Sequence, residues 1–259
     1  MIVVIFAAFP QELKHILKRP EAQNPVGCHF PSQENQHPAS DIIAVQTGIG
    51  ATNAETAFLR VLQECRPDFV LSAGFGGALY EDAGIGDIVW ASHALLLRED
   101  KRKQHEHLVE YAIPESDIGR RIGEKLRDRT TAREGSIVTL PEIMKKTDIK
   151  NMIPDDLPFP VCDMETFYLA KLSHQNRVPF LAIRSITDQL DEDIPPALLA
   201  VTDGTGRFRF SRALGLLLAK PRLIPASIRL GRNAARASKS LGKAVDSLME
   251  ILSAFIPPE

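Results

Sequence analysis

The chain has 259 residues, of which 44% are hydrophobic and 25% are charged, with a formal net charge of −2. A chain of this length can bury a substantial core, and one α/β domain commonly reaches this size. The three cysteines are an odd number without C-x-x-C spacing, which argues against a disulfide framework and a zinc site. No apolar run approaches the roughly 18 residues of a membrane-spanning helix. We therefore expect a cytoplasmic globular protein without a bound metal.

Short apolar, β-branched runs alternate with helical patterns along the first two thirds of the chain. The first run has no Lys or Arg before it, which indicates a buried strand rather than a signal peptide. Polar segments at 20–40 and 98–115 predict surface loops. This alternation predicts a largely parallel, helix-covered sheet. Strands are predicted at 2–6, 42–46, 69–72, 87–91, 136–139 and 180–186, and helices at 51–64, 117–127 and 164–175.

The chain after residue 195 has a different composition. Ten basic residues and no acid occur between Arg207 and Lys243. A short helix is predicted over 211–220 and a longer one over 225–255. The longer helix would have an apolar face formed by Ile224, Ile228, Ala235, Leu241, Val245, Leu248, Leu252 and Phe255. Beside it lies a basic stripe, defined as Arg229, Arg232, Arg236, Lys239 and Lys243.

Two interpretations of this tail remain open. The stripe is either a solvated face on a helix that packs against its own domain, or a surface that approaches anionic membrane lipid. Nucleic acid is not expected as a partner, because no aromatic residues are interleaved with the arginines. We divide the chain into an α/β domain, 1–195, and a helical extension, 196–259, packed on that domain or on a partner.

Five short motifs occur in a fixed order. They are IFAAFPQEL at 5–13, TGIGATNA at 47–54, SAGFGGAL at 72–79 followed by GIGDIV at 84–89, VCDMET at 161–166 and RSITD at 184–188. Together they resemble the signature of the nucleoside phosphorylase and nucleosidase superfamily, enzymes that cut the bond between a ribose and its base. The resemblance covers roughly 1–193. It implies a single α/β domain with a central mixed, partly barrel-like sheet flanked by helices, a nucleoside substrate and a homo-oligomer.

Cleavage of an N-glycosidic bond builds positive charge on the ribose and negative charge on the departing purine. In the family, the glutamate that matches Glu165 accepts hydrogen bonds from the ribose hydroxyls, and these can strengthen as the ring becomes cationic. The aspartate that matches Asp188 delivers a proton to N7 of the purine. Taken singly, Glu165 is also compatible with a first-turn helix carboxylate, and Asp188 with a turn residue at a strand end.

Two further residues match the nucleophile pocket of the nucleosidase branch. Glu12 matches the carboxylate that activates the attacking water, and a helical pattern at 13–17 follows it. Arg184 matches the arginine at the border of this pocket. It is suited to orienting water or to holding phosphate by a forked, charge-assisted contact. The resemblance thus implies Glu12, Arg184 and Asp188 as catalytic residues.

Glycine-rich turns and apolar side chains complete the predicted site. Glycines permit close backbone approach to a ligand and leave amide donors accessible. Their spacing does not fit G-x-G-x-x-G, so we expect no dinucleotide cofactor and no other cofactor. The predicted contacts to substrate are Phe9, Gly48, Ile49, Phe75, Gly76, Gly77, Met164 and Glu165.

The chain departs from the family pattern at three places. Phe75 stands where the superfamily has Ser or Thr, and Leu71 and Ser72 stand where phosphorolytic branches have an arginine. The S-G-D-x-F segment that contacts adenine has no clear copy at 138–143. These differences leave both water and phosphate open as nucleophile and suggest a changed base pocket.

The chain most resembles the subfamily called hopanoid-associated phosphorylases, which implies release of adenine from an adenosyl lipid. The alternatives are a methylthioadenosine or S-adenosylhomocysteine nucleosidase that uses water and Glu12, and a non-catalytic nucleoside-binding protein. His105 and His107 are interpreted as solvated loop residues rather than metal ligands.

Overall fold

The computed structural model describes residues 1–16, 41–99, 107–112, 117–192, 216 and 219–255. In these residues, eight strands form one sheet. The strands are β1 (Ile2–Ala7), β2 (Asp41–Gln46), β3 (Phe69–Ala78), β4 (Ile88–Glu99), β5 (His107–Ala112), β6 (Arg133–Thr139), β7 (Val161–Asp163) and β8 (Phe180–Asp188). Helices bounded within the same ranges are α1 (Pro10–Leu13), α2 (Ala51–Glu64), α3 (Asp117–Arg129), α4 (Lys146–Lys150), α5 (Thr166–Gln175) and α6 (Ile224–Phe255), with a 3₁₀ turn at Pro221–Leu223.

Five of the strands close into a ring. The ring runs β3–β8–β4–β6–β7 and back to β3, while β1 and β2 extend from β3, and β5 extends from β4. Pairing is parallel between β3 and β8 and between β4 and β6, and antiparallel between β4 and β8 and between β3 and β7. The predicted mixed, partly barrel-like sheet flanked by helices is therefore confirmed.

Strand β3 lies at the centre of the sheet and is longer than predicted. Its first residues form a continuous buried apolar run, as expected for a strand covered on both faces. The glycines that follow predicted a turn, but they belong to the strand. Because they have no side chains, neighbouring groups occupy the positions where their Cβ atoms would lie. A Cβ at Gly76 would lie 2.3 Å from Cγ1 of Val161 in β7. The glycines thus allow β7 to close the ring.

Helix α6 packs on the same domain through its C-terminal half. Leu241, Leu248 and Leu252 are fully buried in the core cluster that includes residues of β1, β3 and β8. Burial of each such side chain stabilises the fold by about 1.5–3 kcal/mol. The first part of the predicted apolar face differs, because Ile224 and Ile228 are 41% and 51% exposed. The apolar face is therefore divided between the core and the surface.

Some predicted elements were wrong. The loop predicted over 98–115 contains the end of β4 and all of β5, which pair antiparallel, so His107 lies in a strand. The helix predicted at 13–17 is instead α1, which places Glu12 inside the helix because Pro10 begins it. Strand β7 and helix α4 were not predicted, since both are too short to show a period.

Other predictions fall outside the described residues. These are the loop at 20–40, most of the helix at 211–220, His105 and the domain boundary at 195. The long C-terminal helix was predicted to within one residue of its observed start. In the described part of the chain, none of the helices combines the length and the apolar character that crossing a membrane requires.

Candidate active site

A cleft lies where the parallel strands β1, β3 and β8 bring their carboxyl-terminal halves to the same side of the sheet. In open α/β sheets, ligands bind outside this end of the strands. Of the predicted site residues, the cleft lining includes Glu12, Phe75, Glu165 and Arg184. The structure therefore brings together residues that are up to 172 positions apart in the chain.

Glu12 is buried in α1 and held by backbone groups from two elements. Its Oε2 accepts a hydrogen bond of 2.8 Å from the Phe9 N–H, and its Oε1 accepts one of 2.7 Å from the Phe75 N–H. Burial raises the pKa of Glu12, against the opposing effect of these backbone bonds and of Arg184. A Cβ at Gly74 would lie 2.9 Å from Oε1, so glycine is needed there. A fixed carboxylate with a raised pKa is suited to accept a proton from water.

Arg184 is buried in β8, and protein acceptors use its whole guanidinium. Nε and Nη2 form a fork on Oδ2 of Asp163, at 3.0 and 2.6 Å. Nη1 donates to the carbonyl oxygens of Ser72 and Ile183, at 3.0 and 2.8 Å. Nη2 also contacts the hydroxyl oxygens of Ser72 and Thr166. All five N–H groups of an arginine are accounted for in this arrangement.

The forked contact predicted for phosphate is thus formed with Asp163. The carboxylate of Asp163 is itself fixed by hydroxyl donors from Thr139 and Thr166 and by the Thr166 N–H. This buried network joins β6, β7, α5 and β8. Arg184 therefore orders the floor of the cleft and supplies positive charge beside the carboxylates, while its fork faces protein.

Glu165 stands directly before α5 and reaches the cleft. Its Oε1 accepts a hydrogen bond of 2.7 Å from the Gly50 N–H. Gly50 has φ 89°, a conformation that strongly favours glycine, and this turn aims its N–H at the carboxylate. Removal of the carboxylate from water raises the pKa of Glu165, and the nearby charge of Asp163 raises it further. A ligand hydroxyl can add to this site as a hydrogen-bond donor.

Asp188 lies outside the lining of this cleft, at the end of β8. A bulge between Gly76 and Gly77 pairs Gly77 with Asp188, so Thr187 is the extra residue. Oδ2 of Asp188 lies 2.5 Å from Nζ of Lys146, and Oδ1 accepts a hydrogen bond of 2.6 Å from the Thr187 hydroxyl. Asp188 and Lys146 are both buried. This pair, with its surroundings, is called the base end below, because the family resemblance implies that Asp188 faces the base.

The remaining predicted contacts lie around the cleft rather than in its lining. Phe9 is the residue before α1, and Gly48 has φ 82° in the turn after β2. Gly77 packs against the base end, where a Cβ would lie 2.7 Å from Oδ2 of Asp188. Ile49 and Met164 are half-buried. Gly76 makes room for β7, so the group that approaches its backbone closely belongs to the protein and not to a ligand.

Sequence reasoning missed several residues that hold the site. Asp163 lies inside the motif at 161–166, and its position beside Glu165 was a usable signal. Ser72 and Gly50 also lie in quoted motifs. Lys146 had no signal, because Lys145–Lys146 has the composition of an exposed surface. The tertiary structure buries one lysine of this dipeptide and exposes the other.

A family model settles the membership of the chain. The model described as the phosphorylase superfamily matches residues 2–205. The chain belongs to the phosphorylase superfamily. Membership agrees with the resemblance of the five motifs and with the enzyme class that they imply.

Curated relatives within this superfamily are more distant in sequence. The 5′-methylthioadenosine/S-adenosylhomocysteine nucleosidase of Shewanella loihica is 24% identical over 214 residues, covering 75% of this chain and 89% of the relative. The protein of the same name from Shewanella pealeana is 26% identical over 207 residues, with the same shares covered.

Solved structures share the superfamily fold at low sequence identity. A futalosine hydrolase mutant of Helicobacter pylori aligns with a TM-score of 0.67 and 14% identity, covering 97% of this chain and 99% of the other. The Helicobacter pylori 5′-methylthioadenosine/S-adenosylhomocysteine nucleosidase, in complex with a small molecule, aligns with a TM-score of 0.65 and 14% identity over 97% and 98% of the two chains. These alignments agree with the observed sheet and helix arrangement.

Proposed function

We propose that this protein hydrolyses the N-glycosidic bond of a purine nucleoside, with Glu12 activating the attacking water. The observation that supports this most is the Glu12 carboxylate, which is buried, fixed by two backbone N–H groups and part of one cleft with Glu165 and Arg184. A general base needs this combination of fixed position and adjusted proton affinity.

In the proposed reaction, Glu12 removes a proton from water as its oxygen attacks the anomeric carbon of the ribose. Glu165 accepts hydrogen bonds from the ribose hydroxyls, and these bonds strengthen as the sugar becomes cationic. The bond between sugar and base breaks, and its electron pair moves to the purine. A proton from Asp188 reaches N7, so the base leaves neutral. Glu12 then releases to solvent the proton it took from water, and Asp188 regains one from solvent, so each cleavage consumes one water molecule.

Water is favoured over phosphate because of Arg184. Phosphorolysis needs cationic or N–H donors that face the anion, and the donors of Arg184 are used by Asp163, Ser72, Ile183 and Thr166. The carboxyl groups of Glu12 and Glu165 in the same cleft would repel a phosphate dianion if ionised. A water molecule is neutral, so it needs no cationic donors and is not repelled by the carboxylates.

The names of the relatives support an adenine-containing substrate. Curated nucleosidases that this chain resembles are named for 5′-methylthioadenosine and S-adenosylhomocysteine. We therefore propose adenine as the released base and an adenosine with a 5′ substituent as the substrate, in the cytoplasm.

The decisive experiment measures adenine release from 5′-methylthioadenosine and S-adenosylhomocysteine, with and without phosphate. Hydrolysis predicts a free ribosyl product at the same rate in both conditions. A ribose 1-phosphate product would contradict the role proposed for water. Ligand binding without release would instead support a non-catalytic nucleoside-binding protein.

An adenosyl lipid is the second candidate substrate, and the surface of α6 favours it. All five residues of the basic stripe are exposed, beside the exposed Ile224 and Ile228. The core takes up the apolar face from Leu241 onward, so membrane contact is restricted to the start of the helix. Arg229 also has an acidic neighbour in this chain, Glu192 at 3.3 Å.

Binding to vesicles tests this candidate. Each basic residue near an anionic surface contributes about 1 kcal/mol, so binding should rise with anionic lipid and fall with salt. Neutralising the basic stripe should abolish it and leave cleavage of soluble nucleosides unchanged. Wild type that ignores anionic vesicles at low salt would contradict the lipid substrate. A homo-oligomer that covers Ile224 and Ile228 would do the same, and light scattering would detect it.

A further inference from the structure

The base end contains a buried cation that the proposed reaction has not used. Lys146 lies in α4, and its ammonium contacts both Oδ2 of Asp188 and the carbonyl oxygen of Gln189. Helix α4 is held in place by Ile149, which is fully buried in a core cluster with Leu79 and Leu140. Lys146 is therefore held in position by a packed helix, and it is not a mobile lysine at the surface.

Strand β3 is shaped to admit this pair. A Cβ at Gly77 would lie 2.7 Å from Oδ2 of Asp188 and 3.0 Å from Cε of Lys146. The bulge in β8 directs Asp188 towards the same point. The absence of a side chain at Gly77 and the bulge in β8 thus leave space for the charged side chains of both Lys146 and Asp188.

The charge state of the pair bears on the proposed acid. A buried carboxylate and a buried ammonium are each costly alone and stabilise each other when paired. In such a pair Asp188 is an anion, with an N–H donor on one oxygen and the Thr187 hydroxyl on the other. An anionic carboxylate has no proton to give. The transferable proton is on Lys146.

We propose that Lys146 and Asp188 act as one proton-donating unit for the leaving purine, an inference that rests on the proposed glycosidic-bond cleavage. Lys146 gives a proton to the carboxylate of Asp188, and the carboxylate gives a proton to N7 of the base. The sugar–base bond breaks and its electrons pass to the base, which leaves neutral. Lys146, left as a neutral amine, regains a proton from solvent, which balances the proton that Glu12 takes from water. Lys146 acts through Asp188 and is a positioning residue.

A purine nucleoside methylated at N7 separates this role from a structural one. Its base is already cationic and leaves without a proton. We expect Lys146→Met to lower kcat/KM about 10²-fold on the ordinary nucleoside. On the N7-methylated nucleoside the same variant should stay within about threefold of wild type. Lys146→Arg keeps the positive charge, but a guanidinium does not give up its proton, so this variant should not recover the lost activity.

Lys145→Met is the matched control, because this neighbouring lysine is exposed. It should match wild type on both substrates. Removal of Lys146 alone leaves Asp188 buried without its cation and can prevent folding. The double variant Lys146→Met with Asp188→Asn has no buried charge at this point, and it should show the same substrate dependence.

Equal losses on both substrates in a folded variant would overturn the inference, since a distorted pocket affects both. Unchanged cleavage of the ordinary nucleoside by Lys146→Met would also overturn it. A wild type that cleaves neither substrate would overturn the proposed function and this inference with it. That failure is visible before any variant is made.

Discussion

The two ends of the site differ in how they organise charge. At the cleft, Glu12, Asp163 and Glu165 surround the single guanidinium of Arg184, so carboxyl groups outnumber cations. At the base end, one lysine balances one aspartate. Arg184 and Asp188 are four residues apart in β8, with the bulge at Thr187 between them.

This difference corresponds to the charge that the proposed bond cleavage creates. The sugar becomes cationic and benefits from an excess of carboxyl groups, whereas the base becomes anionic and needs a proton. One strand, β8, supplies a residue to each end and thereby fixes their separation. The comparison can be tested by changing one end at a time.

The largest effect is expected from Arg184→Met, which breaks the network at the cleft. Asp163 would remain buried without its cation, and such a loss typically costs about 3–5 kcal/mol of unfolding free energy. Denaturant unfolding measures it. The control is Arg120→Met, which removes the exposed Arg120–Glu124 pair and should cost about 1 kcal/mol or less. Equal costs for the two variants would contradict the buried network.

Glu12→Gln should remove the general base; its NH2 then faces one of the two backbone N–H groups that the carboxylate accepts from, so the fold of this variant is checked by circular dichroism. We expect kcat to fall about 10²- to 10⁴-fold, with adenine binding nearly unchanged. Steady-state kinetics and adenine titration measure the two quantities. Glu134→Gln, at an exposed position of β6, should have wild-type kinetics. Retained turnover in Glu12→Gln would exclude Glu12 as the base.

Asp188→Asn tests the base end. It removes the carboxylate that passes the proton and should lower kcat by about 10²-fold. Asparagine has nearly the same shape but leaves the ammonium of Lys146 buried without its counter-ion, so circular dichroism must show that the variant is folded before its kinetics are compared. If turnover is unchanged in this variant, Asp188 has no part in the reaction.

The smallest effect is a change in the pH dependence of stability at Glu165. Folding raises the pKa of Glu165 from its ordinary value of 4.5 to about 8, so its contribution is fully present below the unfolded pKa. That contribution is lost as pH rises through the folded pKa. A glutamine at position 165 cannot ionise. The melting temperature of Glu165→Gln should therefore increase relative to that of wild type as pH rises above about 4.5.

Thermal unfolding between pH 4 and pH 8 measures this difference. Glu142→Gln, at an exposed position, should differ from wild type by the same amount at every pH. If the melting temperature of Glu165→Gln instead falls relative to that of wild type as pH rises, the charged form of Glu165 is stabilised by folding.

Local patterns predicted much of the fold because they depend on the chain itself. Helix α2 was predicted with its observed bounds, since its apolar residues recur at helical spacing. In the structure the helix begins after Gly50 and ends before Cys65, whose backbone is extended. Strand β5 was missed because its neighbours in sequence are polar, and only pairing with β4 makes it a strand. The three residues of β7 likewise depend on β3 and β6.

The sequence by itself determined the family, and its ordered motifs predicted Glu12, Glu165, Arg184 and Asp188 as site residues. Only the tertiary structure decided what each one contacts. It gave the guanidinium of Arg184 to Asp163 and placed Lys146 on Asp188. The physical reason is that the partner of a buried charge is set by which strands and helices meet, and those contacts join residues that are 21 and 42 positions apart in the sequence.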